Sequence, residues 1–562
     1  MSTGTDSSRA SHYTSRGGAT SSLASTRGGA SSSTLNGGGH ETSSLLHSVN
    51  VLSGGAVIYE DEEAQFYELQ LFAYRLIYVF QGAFLGLLGP SLSYFSKIAL
   101  DTSGINSPVS SFGPIFAAHG GAALIMSFMS EIVLSVAIEL DIMKNVMVGL
   151  LLCASAWYAF LTPVAAASGN LGVSIYFIAK GFWTALLNIS LNRCVLWVAG
   201  DKIEFGRSLV TSLNFAYGFG TVTGPVIAWM LNVFEIDTAY AFYGLGIMQL
   251  VPAAIIVMTP SPRPIYGRDQ NQTLLGFEDP TRRVPTVPSP IVGGVFLHVK
   301  HYGGSANCNP DTYDPTNNLI ILWVTIFATV LFGIQLGLGA FLFDFVGHVL
   351  TKAPHPVPAD DVFVWGCVLM VLFWASLWLS YLFFSKFMFH AFNLFSIFHL
   401  SIVCMVSSFG ILFGAEIGFG TFVLCLVCLG FSLAPLFTLS IHCLTRVINE
   451  LLIRRVSSLI VFGCGMGEVF IPVTMGFFMG NYSGRMYGSE AVSYILFLLS
   501  VSLVSVSGML LMMVRRKLAE LASQAAESAS GPRLASLNSL GPSGGGGKRA
   551  NSYQRAYSEL EA

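Results

Sequence analysis

The chain has 562 residues, 53% of them hydrophobic and only 10% charged, against about 25% charged in an average soluble domain. With 43 phenylalanines and a mean hydropathy of +0.64, a set of water-soluble domains is excluded; the solvent for most of this chain is lipid. A net charge of −3 excludes a basic nucleic-acid binder, and nine cysteines scattered through apolar runs exclude a secreted disulfide framework.

Residues 1–65 are rich in Ser, Gly and Thr, lack the apolar core of a signal peptide, and read as a disordered tail. A spanning helix needs about 20 mostly apolar residues. Twelve such stretches follow, near 69–94, 109–136, 143–164, 171–198, 206–232, 237–259, 318–345, 361–384, 390–411, 417–443, 456–480 and 489–514. The expected fold class is therefore an all-α, multi-pass membrane protein with twelve transmembrane helices. The expected organisation is a six-helix half at 66–260, a polar, Pro-containing loop at 261–316, a second six-helix half at 317–516, and a disordered tail at 517–562. Cys425 and Cys428 have CxxC spacing but lie in an apolar run, where a pair of buried thiols is expected rather than a redox or zinc site.

Lys and Arg concentrate on the cytoplasmic side of membrane proteins. Placing both termini in the cytoplasm puts fifteen of these cations on inner connections, including Lys144, Lys202, Arg207, Arg282, Arg283, Arg454 and Arg515. Only Lys97, Lys352 and Arg485 then fall outside. Cytoplasmic termini are the expectation, in the plasma membrane or an endomembrane.

The halves repeat one another. Gly82 and Gly86 of the first span match Gly333 and Gly337 of the seventh. Gly181-Phe182, Ala185 and Leu187 of the fourth match Gly430-Phe431, Ala434 and Leu436 of the tenth. Gly218, Gly220 and Pro225 of the fifth match Gly465, Gly467 and Pro472 of the eleventh, all at nearly one offset. Parallel repeats of this kind place a solute site between the halves, near the membrane midplane.

This layout resembles the major facilitator superfamily. Within it, FLGLLGPSL in span 1, NISLNRCVLWVAG in span 4 and LNFAYGFGTVTGPVIA in span 5 resemble the branch of fucose permeases and sodium-dependent glucose transporters. The resemblance implies two pseudo-repeat halves and a monomeric unit that moves a small solute, a hexose first of all, by alternating access. It implies no enzyme activity and no cofactor, with Na⁺ or H⁺ as the open coupling ions. Two departures stand out. The loops IELDIMKN and FFSKFMFHAFN lack the basic, glycine-containing core common in the superfamily. The position where relatives carry a span-4 acid is Asn188, which puts coupling through that span in doubt.

Ionisable groups inside a bilayer are costly, roughly 2.5–3.5 kcal/mol or more at the centre, and usually face a cavity. Lys180, Thr184, Asn188 and Asn192 recur every four residues on one side of span 4, flanked by Trp183. Amides beside an indole suit a sugar, with hydrogen bonds to hydroxyls and a flat surface for the ring; helix-to-helix hydrogen bonding is the alternative role. The candidate solute-binding residues are Lys180, Trp183, Asn188, Asn192, Asn214 and Gln335, and Glu468 in span 11 is the candidate for ion coupling. Gln81 is a cavity-lining candidate on the same footing as Gln335; Gln249 reads as a packing residue, and Glu131 as part of a cytoplasmic gate. His119, His399 and His442 read as helix-contact groups. Other readings stay open: a transporter of nucleosides, drugs or organic ions, with Lys180 as an anion's counter-charge, or a non-transporting receptor on the same scaffold. No metal cluster or nucleophile–base pair is apparent.

Overall fold

The computed structural model describes residues 57–103, 109–199, 203–260, 315–352, 357–387, 394–447, 450–480 and 488–530. All regular structure among them is helical. In chain order the helices are α1 (Val57–Ser103), α2 (Phe112–Glu139), α3 (Met143–Ala199), α4 (Ile203–Val233), α5 (Ala239–Met248) and α6 (Leu250–Met258). After the central loop come α7 (Pro315–Lys352), α8 (Ala359–Phe387), α9 (Leu394–Ile417), α10 (Phe419–Val447), α11 (Glu450–Gly480) and α12 (Ala491–Ser530).

Helices follow from the solvent, because lipid offers backbone amides and carbonyls no partner and only a closed hydrogen-bond ladder satisfies them. Ten of the described helical stretches are long and apolar enough to cross a membrane. One of them, within α3, must cross twice. Its 57 residues would reach about 85 Å if straight, against a hydrocarbon core of about 30 Å. It turns back at Gly169, whose φ of 53° and ψ of −140° lie where a residue with a side chain is strained. That division and the 31-residue α4 bring the crossings to twelve. The short α5 and α6 meet at Gln249 and together make one of them, Ala239–Met258.

Phe128, Leu171, Ile175, Met258, Leu424 and Leu498 are exposed large hydrophobics spread over both halves. Such a surface is unstable in water and ordinary against lipid.

The repeat read from the sequence reappears as equivalent packing. Gly220 of α4 lies against the carbonyl of Val79 on α1, and Gly467 of α11 lies against the carbonyl of Thr329 on α7. In each half a glycine removes the side chain that would hold two backbones apart. Between the halves, α2 packs on α11 and α4 on α8. Spans 2 and 8, and spans 5 and 11, are repeat partners, so a pseudo-two-fold exchanges these two contacts. Gly113 meets Pro472 and Gly476 at one end of the α2–α11 seam, and Gly465 meets Leu124 towards the other. Trp378 of α8 packs at a tilt against Phe215 and Phe219 of α4, with centroids 5.3 and 5.5 Å away.

Two boundaries differ from the sequence reading. α1 begins at Val57 rather than after residue 65, and α12 runs to Ser530 rather than ending at 516. The extension RRKLAELASQAAESAS is built of strong helix formers, and Arg516 Nε pairs with Glu520 one turn on, at 3.3 Å. The rest of both tails, the central loop at 261–314 and the side chains of Glu131, Glu416 and His442 lie outside the described residues.

Candidate functional site

Most hydroxyls in the spans are spent on their own helix. Ser190 donates to Leu186, Ser401 to Ile397 and Ser500 to Leu496, each one turn back. Against that background the polar face of α3 carries a run of unpaired atoms, as some positions on other spans do, Trp374 and Trp378 of α8 among them. Among the described residues, the buried atoms Trp183 Nε1, Thr184 Oγ1 and Asn188 Oδ1 have no hydrogen-bond partner. Three such atoms within six residues are uncommon in a membrane interior, where an unpaired polar group is costly.

Lys180 lies at the head of this face and is buried. Its Nζ is 4.4 Å from the centre of the Phe84 ring of α1 and 6.0 Å from that of Trp183, so two aromatic faces support the ammonium. Tyr158 stands edge-on to Trp183 at 5.8 Å and lies 5.1 Å from Phe84, completing an aromatic wall. Lys180 Nζ is also 3.3 Å from Nε2 of His119 on α2. The other ring nitrogen, Nδ1, is 3.7 Å from Oε2 of Glu468 on α11. Lys180, His119 and Glu468 thus form one chain of charge and dipole across the seam between the halves.

Glycines allow the approach. Gly181, beside Lys180, packs directly on the backbone carbonyl of His119. A methyl at Gly120, beside His119, would lie 2.9 Å from the backbone carbon of Glu468. Gly467, beside Glu468, packs on α7.

The remaining candidates sit apart from this chain. Asn192 is half-buried, and its Oδ1 accepts a hydrogen bond of 3.3 Å from the Tyr78 hydroxyl. That is helix-to-helix bonding, the alternative weighed for it in the sequence. Asn214 and Gln335 are half-buried on α4 and α7; no described hydrogen bond draws either into the cluster. Gln81 is buried with an unpartnered Nε2. Gln249 is fully buried at the α5–α6 junction, with neither side-chain atom partnered among the described residues. His399 is exposed and bonds the Phe395 carbonyl of its own helix at 2.8 Å. Cys425 and Cys428 are free thiols.

His119 was read in the sequence as a helix-contact group, and its place between two charges was missed. A signal was present, for each member of the chain adjoins a glycine: His119-Gly120, Lys180-Gly181 and Gly467-Glu468. Among the described residues no group of three His, Cys, Asp or Glu side chains could hold a metal ion.

No family model matches the chain, and no curated protein does. Solved structures do match. The nucleoside transporter NupG superposes with a TM-score of 0.53 at 15% identity, over 80% of this chain and 98% of its own. A D-xylose-proton symporter gives 0.54 at 11%, over 78% and 97%. The POT family transporter PepTSo gives 0.55 at 10%, over 81% and 98%. The chain has the major facilitator fold. At these identities the likeness is one of fold, and the solutes in those names belong to those proteins. In this fold the seam bridged by His119 and Glu468 divides the two six-helix halves.

Proposed function

We propose that this chain is a secondary transporter that moves a small polar solute, most directly a hexose, by alternating access. The observation that carries the reading is the unpartnered set on α3, Trp183 Nε1, Thr184 Oγ1 and Asn188 Oδ1, next to a buried lysine at the seam between the halves. An indole N–H, a hydroxyl and an amide oxygen offer both donors and acceptors to sugar hydroxyls, and the Trp183 and Phe84 rings offer flat faces. The branch resemblance in spans 1, 4 and 5 supports the choice of hexose.

Substrate enters from one side, binds against α3, and is released when the halves rock about the α2–α11 and α4–α8 contacts. The cytoplasmic termini, the choice of membrane and the monomeric unit belong to the same proposal. The test is uptake of labelled hexose into proteoliposomes holding the purified full chain. Uptake above protein-free vesicles, competed by unlabelled hexose, supports the reading; its absence overturns the hexose assignment.

A second solute class has an observation of its own. The wall of Phe84, Tyr158 and Trp183 around Lys180 also fits a planar ring such as a nucleobase. Inhibition of hexose uptake by nucleosides at lower concentration than by unlabelled hexose would favour it.

A further inference from the structure

The geometry points to Glu468, His119 and Lys180 as a proton-coupling relay that links the two halves, with H⁺ rather than Na⁺ as the driving ion. This rests on the transporter reading above and extends it to the ion and to a residue, His119.

The direction of the relay follows from donor chemistry. A charged lysine can only donate, so His119 Nε2 accepts from Lys180 across 3.3 Å. The ring proton of a neutral His119 is then on Nδ1, the nitrogen facing Glu468 Oε2 at 3.7 Å. The first link lies within the N-terminal half. The second crosses to the C-terminal half and is longer than a hydrogen bond. His119 therefore travels with Lys180 when the halves rock, and its contact with Glu468 is the one made or broken.

With Glu468 ionised, the carboxylate balances the ammonium and draws the halves together. A proton from water reaches the partly exposed carboxylate and gives the neutral acid. The attraction across the seam is lost, and the positive charge of Lys180 stays on its aromatic support. When the site opens to the opposite side, the proton returns to water and the carboxylate re-forms. Each cycle thus carries one proton, with no other reactant consumed.

Sodium does not fit this place. Na⁺ sites in transporters draw on several oxygens, commonly the carbonyls of broken helices. Here α2 and α11 run unbroken through the site, and the break in α3, at Gly169, is three turns from Lys180. The imidazole of His119 faces Glu468, and the Lys180 ammonium, the Cys464 thiol of its own helix and the Tyr217 hydroxyl of α4 are near enough to interact with it electrostatically. Tyr217 in turn interacts electrostatically with Tyr158 of α3, Tyr78 of α1 and Tyr381 of α8. A hard metal cation needs several oxygens and would find one carboxylate beside an ammonium, whereas a proton needs a single carboxylate oxygen.

Two measurements on the full chain in proteoliposomes test this. The first needs no solute: infrared difference spectra between high and low pH should show the carbonyl band of a protonated carboxyl, absent from Glu468→Gln. His119→Gln should keep the band and move the pH at which it appears. The second measures labelled hexose. An inward pH gradient should drive accumulation several-fold above equilibrium, a sodium gradient at equal pH should not, and Glu468→Gln should lose accumulation while Glu490→Gln keeps it. A band that survives in Glu468→Gln, a titration untouched in His119→Gln, or sodium-driven accumulation overturns the relay. If the wild-type chain exchanges no hexose at all, the hexose reading fails by itself, and the infrared result still decides the relay.

Discussion

His119 of α2 and Glu468 of α11 meet at 3.7 Å across the seam between the two six-helix halves, and Lys180 stands 3.3 Å behind the histidine. Lys180 is buried while the Glu468 side chain is partly exposed, so removing the carboxylate leaves the ammonium in a largely apolar surround.

Glu468→Gln should destabilise the protein, measured by thermal unfolding in detergent, because it strands the Lys180 ammonium. Lys180→Met in the same chain should recover part of the loss. A coupling of about 0.5–3 kcal/mol between the two changes is the expected size for residues in one network. Strictly additive effects would mean that the two groups do not interact.

Gly181→Ala should cost about 1–3 kcal/mol, since the methyl meets the His119 carbonyl and neither backbone can yield without moving a helix. Gly121→Ala is the matched control. Nothing lies within 4 Å of its new methyl, so a change within about 0.5 kcal/mol is expected. Equal losses in both variants would refute the close packing of α2 on α3.

Asn188 and Asn192 should separate by readout. Asn192 bonds Tyr78, so Asn192→Ala should lower stability by about 0.5–1.5 kcal/mol. Asn188 Oδ1 has no partner among the described residues, so Asn188→Ala should leave stability nearly unchanged and raise the KM for hexose up to about tenfold. A KM for Asn188→Ala equal to wild type would remove this residue from the solute site.

Gly169→Ala should impair folding of the α3 hairpin. The φ of 53° with ψ of −140° is a conformation that costs a residue with a side chain about 1–3 kcal/mol. Reduced yield of folded protein is the expected result, and an unfolding temperature equal to wild type would contradict the turn.

Much of the fold was legible in one dimension because lipid leaves so few solutions. Twelve apolar stretches, the polar loop after the sixth and the glycine repeats already imply paired halves. Gly220 and Gly467 then prove to occupy equivalent contacts. The ends were less legible, since the residues after 516 are polar yet good helix formers, and polarity was taken for disorder.

The candidate site was legible only along single helices. The spacing of Lys180, Thr184, Asn188 and Asn192 fixes a shared face of α3, because helical periodicity is local. What lies opposite that face is set by packing between segments far apart in sequence, and no local pattern carries it. Composition and periodicity therefore determined a twelve-span membrane protein in two related halves, with a polar face on the fourth span. The tertiary structure alone decided that Asn192 pairs with Tyr78, that Phe84 supports Lys180, and that His119 joins Lys180 to Glu468. Glycine-lined helix crossings bring those groups within reach, and the crossing geometry exists only in the folded bundle.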